Sequence, residues 1–153
     1  MGSWPPPREE AMIMKIALLG TGFGQAHAAV YAQLPDVDEV VVFGRAPEKL
    51  AKISDEFGFA TTTDLNAVIM DGSVDLVDIC LPTRLHADVA VQALHAGKDV
   101  LIELPLAATL HDAQRIVAAH RATGRRAFVD SSPGSAPPIS SYAKRSPTCA
   151  TGR

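Results

Sequence analysis

Three glycines in six residues, Gly20-Thr21-Gly22-Phe23-Gly24-Gln25, are the part of this 153-residue chain whose types and spacing speak most directly of chemistry. The run follows an apolar stretch and opens a helical pattern. A glycine loop at a helix N-terminus leaves backbone N–H groups free to hold a pyrophosphate, and the helix dipole favours negative charge there by about 0.3–1 kcal/mol. Gly20 permits the tight turn, and Gly22 lets a phosphate reach the backbone. The third small position departs from the pattern. Gln25 stands where Gly or Ala is usual, with Gly24 and Ala26 on either side.

A second candidate lies at 43–45. A dinucleotide site specific for NAD places Asp or Glu at the end of the second strand to accept from the adenosine ribose. Here the residues are Phe43-Gly44-Arg45. An arginine without an acid suits a 2′-phosphate, through a charge-assisted contact of about 1.5–3 kcal/mol, and tilts the cofactor from NAD toward NADP. The alternative is a solvated loop arginine. The missing acid also speaks against a methyl-donor site, which needs a carboxylate for its ribose.

These loops need a scaffold, and hydrophobic periodicity supplies one. Residues 15–19 form a short apolar run halted by Gly20, as a strand buried on both faces requires. A helix over 23–34 follows, closed by Pro35 and Asp36, and then a strand over 39–43. Pro47 suits a first helical turn and opens a helix to Phe57. A short strand over 59–61 leads to Asp64, an N-cap for a helix through Met70. The second half repeats the rhythm, with strands over 74–81, 100–103 and 126–129. Helices fall over 86–96 and from Thr109 to Gly124, the last expected to bury Leu110, Ala113, Ile116 and Val117. This alternation predicts βαβ units and an α/β, doubly wound parallel sheet, a Rossmann arrangement in the order 3-2-1-4-5-6 with helices on both faces.

Composition narrows the class further. With 47% hydrophobic residues and 20% charged ones, the chain is no disordered polymer. No apolar run approaches the roughly 20 residues of a membrane span, and a net charge of -3 gives no reason to expect nucleic acid. Cys80 and Cys149 make neither a disulfide framework nor a zinc spacing, so no metal is expected and the compartment reads as cytoplasmic. Three units emerge: a flexible leader over 1–13, a nucleotide-binding domain over 14–130, and an irregular tail over 131–153. The tail is rich in Ser and Pro and holds Lys144, Arg145 and Arg153 without one acid.

The segment 74–107 carries a resemblance. Val74, Asp75, Val77, Ile79, Pro82 and His86 lead to Ala93-Leu94-His95-Ala96-Gly97-Lys98-Asp99-Val100-Leu101 and then Glu103-Leu104-Pro105-Leu106-Ala107. Over 15–129 the chain resembles the amino-terminal half of the glucose–fructose oxidoreductase/inositol dehydrogenase/rhizopine-catabolism (Gfo/Idh/MocA) family, and His27 matches a histidine frequent there. The resemblance implies a nicotinamide dinucleotide as cofactor, hydride transfer to or from a sugar, polyol or similar small alcohol, and a homo-oligomer. It also implies that Leu81, Pro82, Thr83 and His86 line the nicotinamide side, and that Glu103 and Pro105, the outer residues of the family's Glu-Lys-Pro, bind the cofactor. For His86 a capping or core contact is the bland alternative.

Two departures qualify the resemblance. The family's Glu-Lys-Pro reads Glu103-Leu104-Pro105, and leucine has no proton to give to a substrate oxygen, so no residue is assigned a catalytic role. After Asp130 the family continues into a substrate domain, whereas here the Ser/Pro-rich tail begins, as a shifted reading frame or an early end of a longer gene would produce. An enzyme incomplete by itself is therefore expected. A non-catalytic dinucleotide-binding or interaction module is the alternative, and a flavin- or methyl-donor-binding relative is the remote one. His27, His95, His111 and His120 are read as solvent-facing or packing residues, Asp75 and Asp78 as caps or surface groups, and Cys80 as core.

Overall fold

The computed structural model describes residues 14–131, so the expected leader, the tail from 132 onward and Cys149 lie outside the described residues. Six strands form one sheet, β1 (Met14–Leu19), β2 (Val37–Phe43), β3 (Ala60–Thr62), β4 (Leu76–Ile79), β5 (Asp99–Glu103) and β6 (Ala127–Asp130). Every pairing is parallel, and the order is β3-β2-β1-β4-β5-β6, as the sequence pattern predicts. The connections carry α1 (Gly24–Tyr31), α2 (Pro47–Phe57), α3 (Leu65–Met70), α4 (His86–His95) and α5 (Leu110–Thr123). None of the described helices is long and apolar enough to cross a membrane.

Alternation along the strands divides the core in two. Ile16, Leu18, Val40, Val42, Leu76 and Leu101 face Ala28 and Tyr31 of α1 and Leu50 and Ile53 of α2. Ala17, Leu19, Val77, Ile79, Val100 and Ile102 face the layer of α3, α4 and α5. Because both faces are covered, the inner strands read as continuous apolar runs. Helix ends follow their local chemistry. Asp64 accepts from the Ala67 N–H and Thr109 from the Asp112 N–H, while Gly58 and Gly124 close α2 and α5 in the left-handed region.

Several expected boundaries shift. The strand expected over 74–81 is confined to Leu76–Ile79; the Cys80 N–H still bonds to the Leu19 carbonyl, and the chain then leaves the sheet toward the 3-10 turn Thr83–Leu85. The stripe on α5 is narrower than its sequence pattern. Ile116 and Ala119 are buried, Ala113 is half-buried, and Leu110 and Val117 are exposed. This helix packs chiefly on α4, so one narrow face suffices.

Candidate cofactor-binding site

The strand order dictates where a cleft can open. From β1 the chain crosses to α1 on one face of the sheet, and from β4 it crosses to α4 on the other, so the two exits part and leave a crevice at the carboxyl ends of the strands. Its volume is about 630 Å³, within the 300–1,000 Å³ range of small-molecule sites. The loop after β1 supplies Gly20, Thr21, Gly22 and Phe23, and the end of β2 supplies Gly44 and Arg45. Leu81, Pro82 and Thr83 come from the exit of β4, and Glu103 from the end of β5.

The glycine loop has the form a phosphate site needs. Gly20 sits at φ +112°, and a Cβ there would lie 2.5 Å from the Cys80 carbonyl oxygen, so no other residue fits the turn. A Cβ on Gly22 would meet nothing within 4 Å. The Gly20 N–H is spent on the Phe43 carbonyl, and those of Gln25 and Ala26 on Gly22 and Phe23. Between them, the N–H groups of Thr21, Gly22, Phe23 and Gly24 have no acceptor among the described residues. Four consecutive uncommitted donors at a helix mouth, beside open space, fit a diphosphate.

Four expected residues stand outside the crevice wall. Gly24 lies beneath it, with the Leu18 side chain and the Cys80 Cβ nearest the position a side chain would take. Gln25 points to Glu56 on the surface. His86 is buried, its Nδ1 3.0 Å from the Pro105 carbonyl oxygen and its Nε2 2.7 Å from that of Leu81. It therefore ties the exits of β4 and β5 together from behind, while Pro105 is exposed beyond the rim.

The wall also holds residues that the sequence reading missed. Lys49, four residues after Arg45 on the first turn of α2, faces the same end of the crevice, and neither cation has an ion-pair partner among the described residues. The available signal was a lysine in the first turn of the helix that opens directly after the Arg45 loop. Cys80, read as core, is buried and also forms part of the floor. Leu104 lines the rim and is half exposed.

Beneath the floor lies a buried polar cluster. His27, buried on α1, places Nδ1 2.6 Å from Asp78 Oδ2 and Nε2 2.9 Å from Glu103 Oε1, with Asp130 Oδ2 at 3.7 Å. Tyr31 donates its hydroxyl to the same Asp78 oxygen, and the Cys80 thiol donates to the other at 3.4 Å. The expectation for Asp78 is thus corrected: it neither caps nor meets solvent, but is fully buried at the centre of β4 and satisfied by α1. Asp75 does face solvent, accepting from the Lys15 N–H. His95, His111 and His120 are exposed.

Electrostatics follow from this enclosure. Burial by itself would lower the pKa of His27, but hydrogen bonds to and charges on Asp78 and Glu103 outweigh it and raise the value from 6.5 to about 9. At neutral pH the ring is an imidazolium that donates through both nitrogens. Burial, with Asp78 beside it, pushes the Cys80 thiol far up, so it is no nucleophile. His27 with Asp78 and Cys80, or with Glu103 and Asp130, brings ligand-type atoms within 4.8 Å, but in both sets the imidazolium already serves as the cation.

Comparison with known proteins agrees with this architecture. Residues 14–131 match the Gfo/Idh/MocA family profile, described as an oxidoreductase family with an NAD-binding Rossmann fold. The chain belongs to this family. Inositol 2-dehydrogenase of Salmonella typhimurium is 37% identical over 121 residues, covering 75% of this chain and 35% of that protein. The 4-carboxy-2-hydroxymuconate-6-semialdehyde dehydrogenase of a Sphingobium strain is 34% identical over 113 residues, covering 72% and 36%. Among solved structures, biliverdin reductase of Synechocystis with biliverdin and NADP+ superposes with a TM-score of 0.72 at 31% identity, covering 76% of this chain and 37% of that one. Levoglucosan dehydrogenase with NADH and levoglucosan gives 0.70 at 32%, covering 76% and 34%. The chain thus spans about a third of the length of these relatives and corresponds to their nucleotide-binding domain.

Proposed function

We propose that this chain binds a nicotinamide dinucleotide in the crevice, as the coenzyme-holding part of an oxidoreductase that moves hydride between the nicotinamide and a sugar, polyol or similar small alcohol. The observation that carries the reading is the row of uncommitted N–H groups from Thr21 to Gly24 opening on clear space at Gly22. The diphosphate lies on that row. The adenosine half extends toward Gly44 and the nicotinamide half toward Leu81–Thr83 and Glu103. The coenzyme, when bound, supplies the hydride chemistry. The protein's own residues position it: the His86 strut fixes the β4 exit, and Thr21–Gly24 hold the charge of the phosphates.

Arg45 and Lys49 favour NADP over NAD, since two unpaired cations and no carboxylate meet the adenosine end. Calorimetric titration of the 153-residue chain with NADPH and NADH tests the reading. Saturable one-to-one binding is expected, and absence of heat with both would defeat it. Arg45→Ala should lower NADPH affinity about tenfold, some 1.4 kcal/mol, with little change for NADH. Equal, unchanged affinities would remove the phosphate role of Arg45.

One observation favours a second reading, that of a binding module without turnover. Leu104 puts an apolar side chain at the rim, beside Glu103, where the family's motif has lysine. A leucine neither donates a proton nor stabilises an alkoxide. Turnover of NADPH with a panel of sugar and polyol substrates by the chain itself would exclude this reading.

A further inference from the structure

We propose that Glu103 makes the crevice discriminate between the two redox states of nicotinamide, favouring the oxidised form, and that His27 is the positioning residue that sets how strongly. The inference rests on the dinucleotide reading above and adds a preference that the reading does not contain.

Geometry places the carboxylate at one end only. Arg45 and Lys49 mark the β2 end of the crevice, while Glu103 and Leu104 mark the β5 end, with the glycine loop between them. A dinucleotide whose diphosphate lies on that loop and whose adenosine lies by the cations brings its nicotinamide to the Glu103 side. There the two redox states differ by a full charge. The oxidised ring is a pyridinium cation and the reduced ring is neutral, while the rest of the molecule is unchanged. A carboxylate beside the ring attracts one state and is nearly indifferent to the other.

Glu103 is held for this task. Oε1 accepts from His27 Nε2–H at 2.9 Å and Oε2 from the Leu104 N–H at 3.1 Å, so the group is fixed against the end of β5 and not swinging in solvent. His27 is anchored in turn by Asp78, which also accepts from Tyr31 and Cys80. Three carboxyl groups, Asp78 on β4, Glu103 on β5 and Asp130 on β6, surround one imidazole from α1. The positive ring is shared between Asp78 and Glu103, so it offsets only part of the charge that Glu103 presents to the nicotinamide end. Leu104, in place of a lysine, adds no compensating cation at the rim.

Dissociation constants for NADP+, NADPH and ADP-ribose, measured on the full chain and on Glu103→Gln, test the proposal. Substitution by Gln should weaken NADP+ by about tenfold and move NADPH and ADP-ribose by less than threefold, since neither carries the cationic ring. Weakening of NADP+ and NADPH by the same factor, or of neither, overturns the proposal. The unmodified protein gives a second, independent readout. Raising the pH through about 9 discharges His27 among Tyr31, Asp78, Cys80, Glu103 and Asp130, so the ratio of NADP+ to NADPH affinity should rise, and a flat or falling ratio contradicts it. Should the unmodified chain bind no dinucleotide at any pH, the dinucleotide reading itself falls and this inference falls with it. Binding of both redox states with an unmoved ratio defeats the present inference alone.

Discussion

The two ends of the sheet each carry a crevice of similar size, about 630 Å³ at the carboxyl ends of the strands and about 570 Å³ at the amino ends. They differ in what their polar groups are doing. At the amino end, Arg126 grips Asp99 through Nε and Nη2 at 2.9 and 2.7 Å, Lys98 donates to the Asp71 carbonyl, and Asp75 accepts from the Lys15 N–H. Of the cations lining that end, Arg125 alone has no side-chain partner among the described residues. At the carboxyl end, four backbone N–H groups and two cations have no partner among the described residues, above a floor in which His27, Asp78 and Glu103 are fully engaged. Size does not mark a binding site. Unspent hydrogen-bonding capacity on a satisfied foundation does.

The foundation should give the largest effect when broken. Asp78→Ala removes the anchor of His27, Tyr31 and Cys80 and leaves a buried imidazolium short of a partner, a loss of about 3–5 kcal/mol. Urea unfolding of the variant measures it, and a loss below 1 kcal/mol would mean that the cluster adds little. The same cluster predicts a pH dependence. The folded-state pKa of His27 lies above the unfolded value of 6.5, so its stabilisation is complete below pH 6.5 and is lost as pH rises through about 9. Its size is on the order of 3 kcal/mol. Unfolding free energies at pH 6 and pH 9.5 should differ in that direction, and Asp78→Asn should flatten the difference.

The loop above the foundation should respond in the opposite sense, in binding and not in stability. Gly22→Val places its side chain where nothing now lies within 4 Å of Cβ. Coenzyme affinity should fall by about a hundredfold, roughly 2.7 kcal/mol, with a melting temperature within a few degrees of the parent. Equal loss of both would show that the loop is structural. The smallest effect belongs to the amino end. Arg126→Ala breaks a half-exposed ion pair and should cost about 1 kcal/mol or less, with coenzyme affinity unchanged. Any effect on affinity there would blur the contrast between the two ends.

Much of this architecture is legible in the sequence, for reasons that the structure makes concrete. Runs such as 15–19 and 39–43 can be buried only as inner strands, and each is stopped by a residue that must leave the sheet, Gly20 or Gly44. The order of strands follows from right-handed crossovers. The buried cluster was not legible. Asp78 sits between Val77 and Ile79, and its partner His27 comes from a helix 51 residues earlier, so only the register of α1 on β4 brings them together. One signal was present: an acid flanked by Val77 and Ile79 within a strand must, once buried, find a buried donor. Leu110 and Val117 mislead for the converse reason, since an apolar period says which face is available and not how much of it a neighbour covers.

Residue-resolved amide spectra of the 15N-labelled chain, recorded during titration with NADPH, decide whether the glycine loop holds the diphosphate. The backbone amide signals of Thr21, Gly22, Phe23 and Gly24 should shift together, and their hydrogen exchange should slow as the diphosphate takes their N–H groups. Saturable binding that leaves those four signals unmoved, with the shifts gathered at Lys98, Asp99 and Arg126 instead, would contradict that placement.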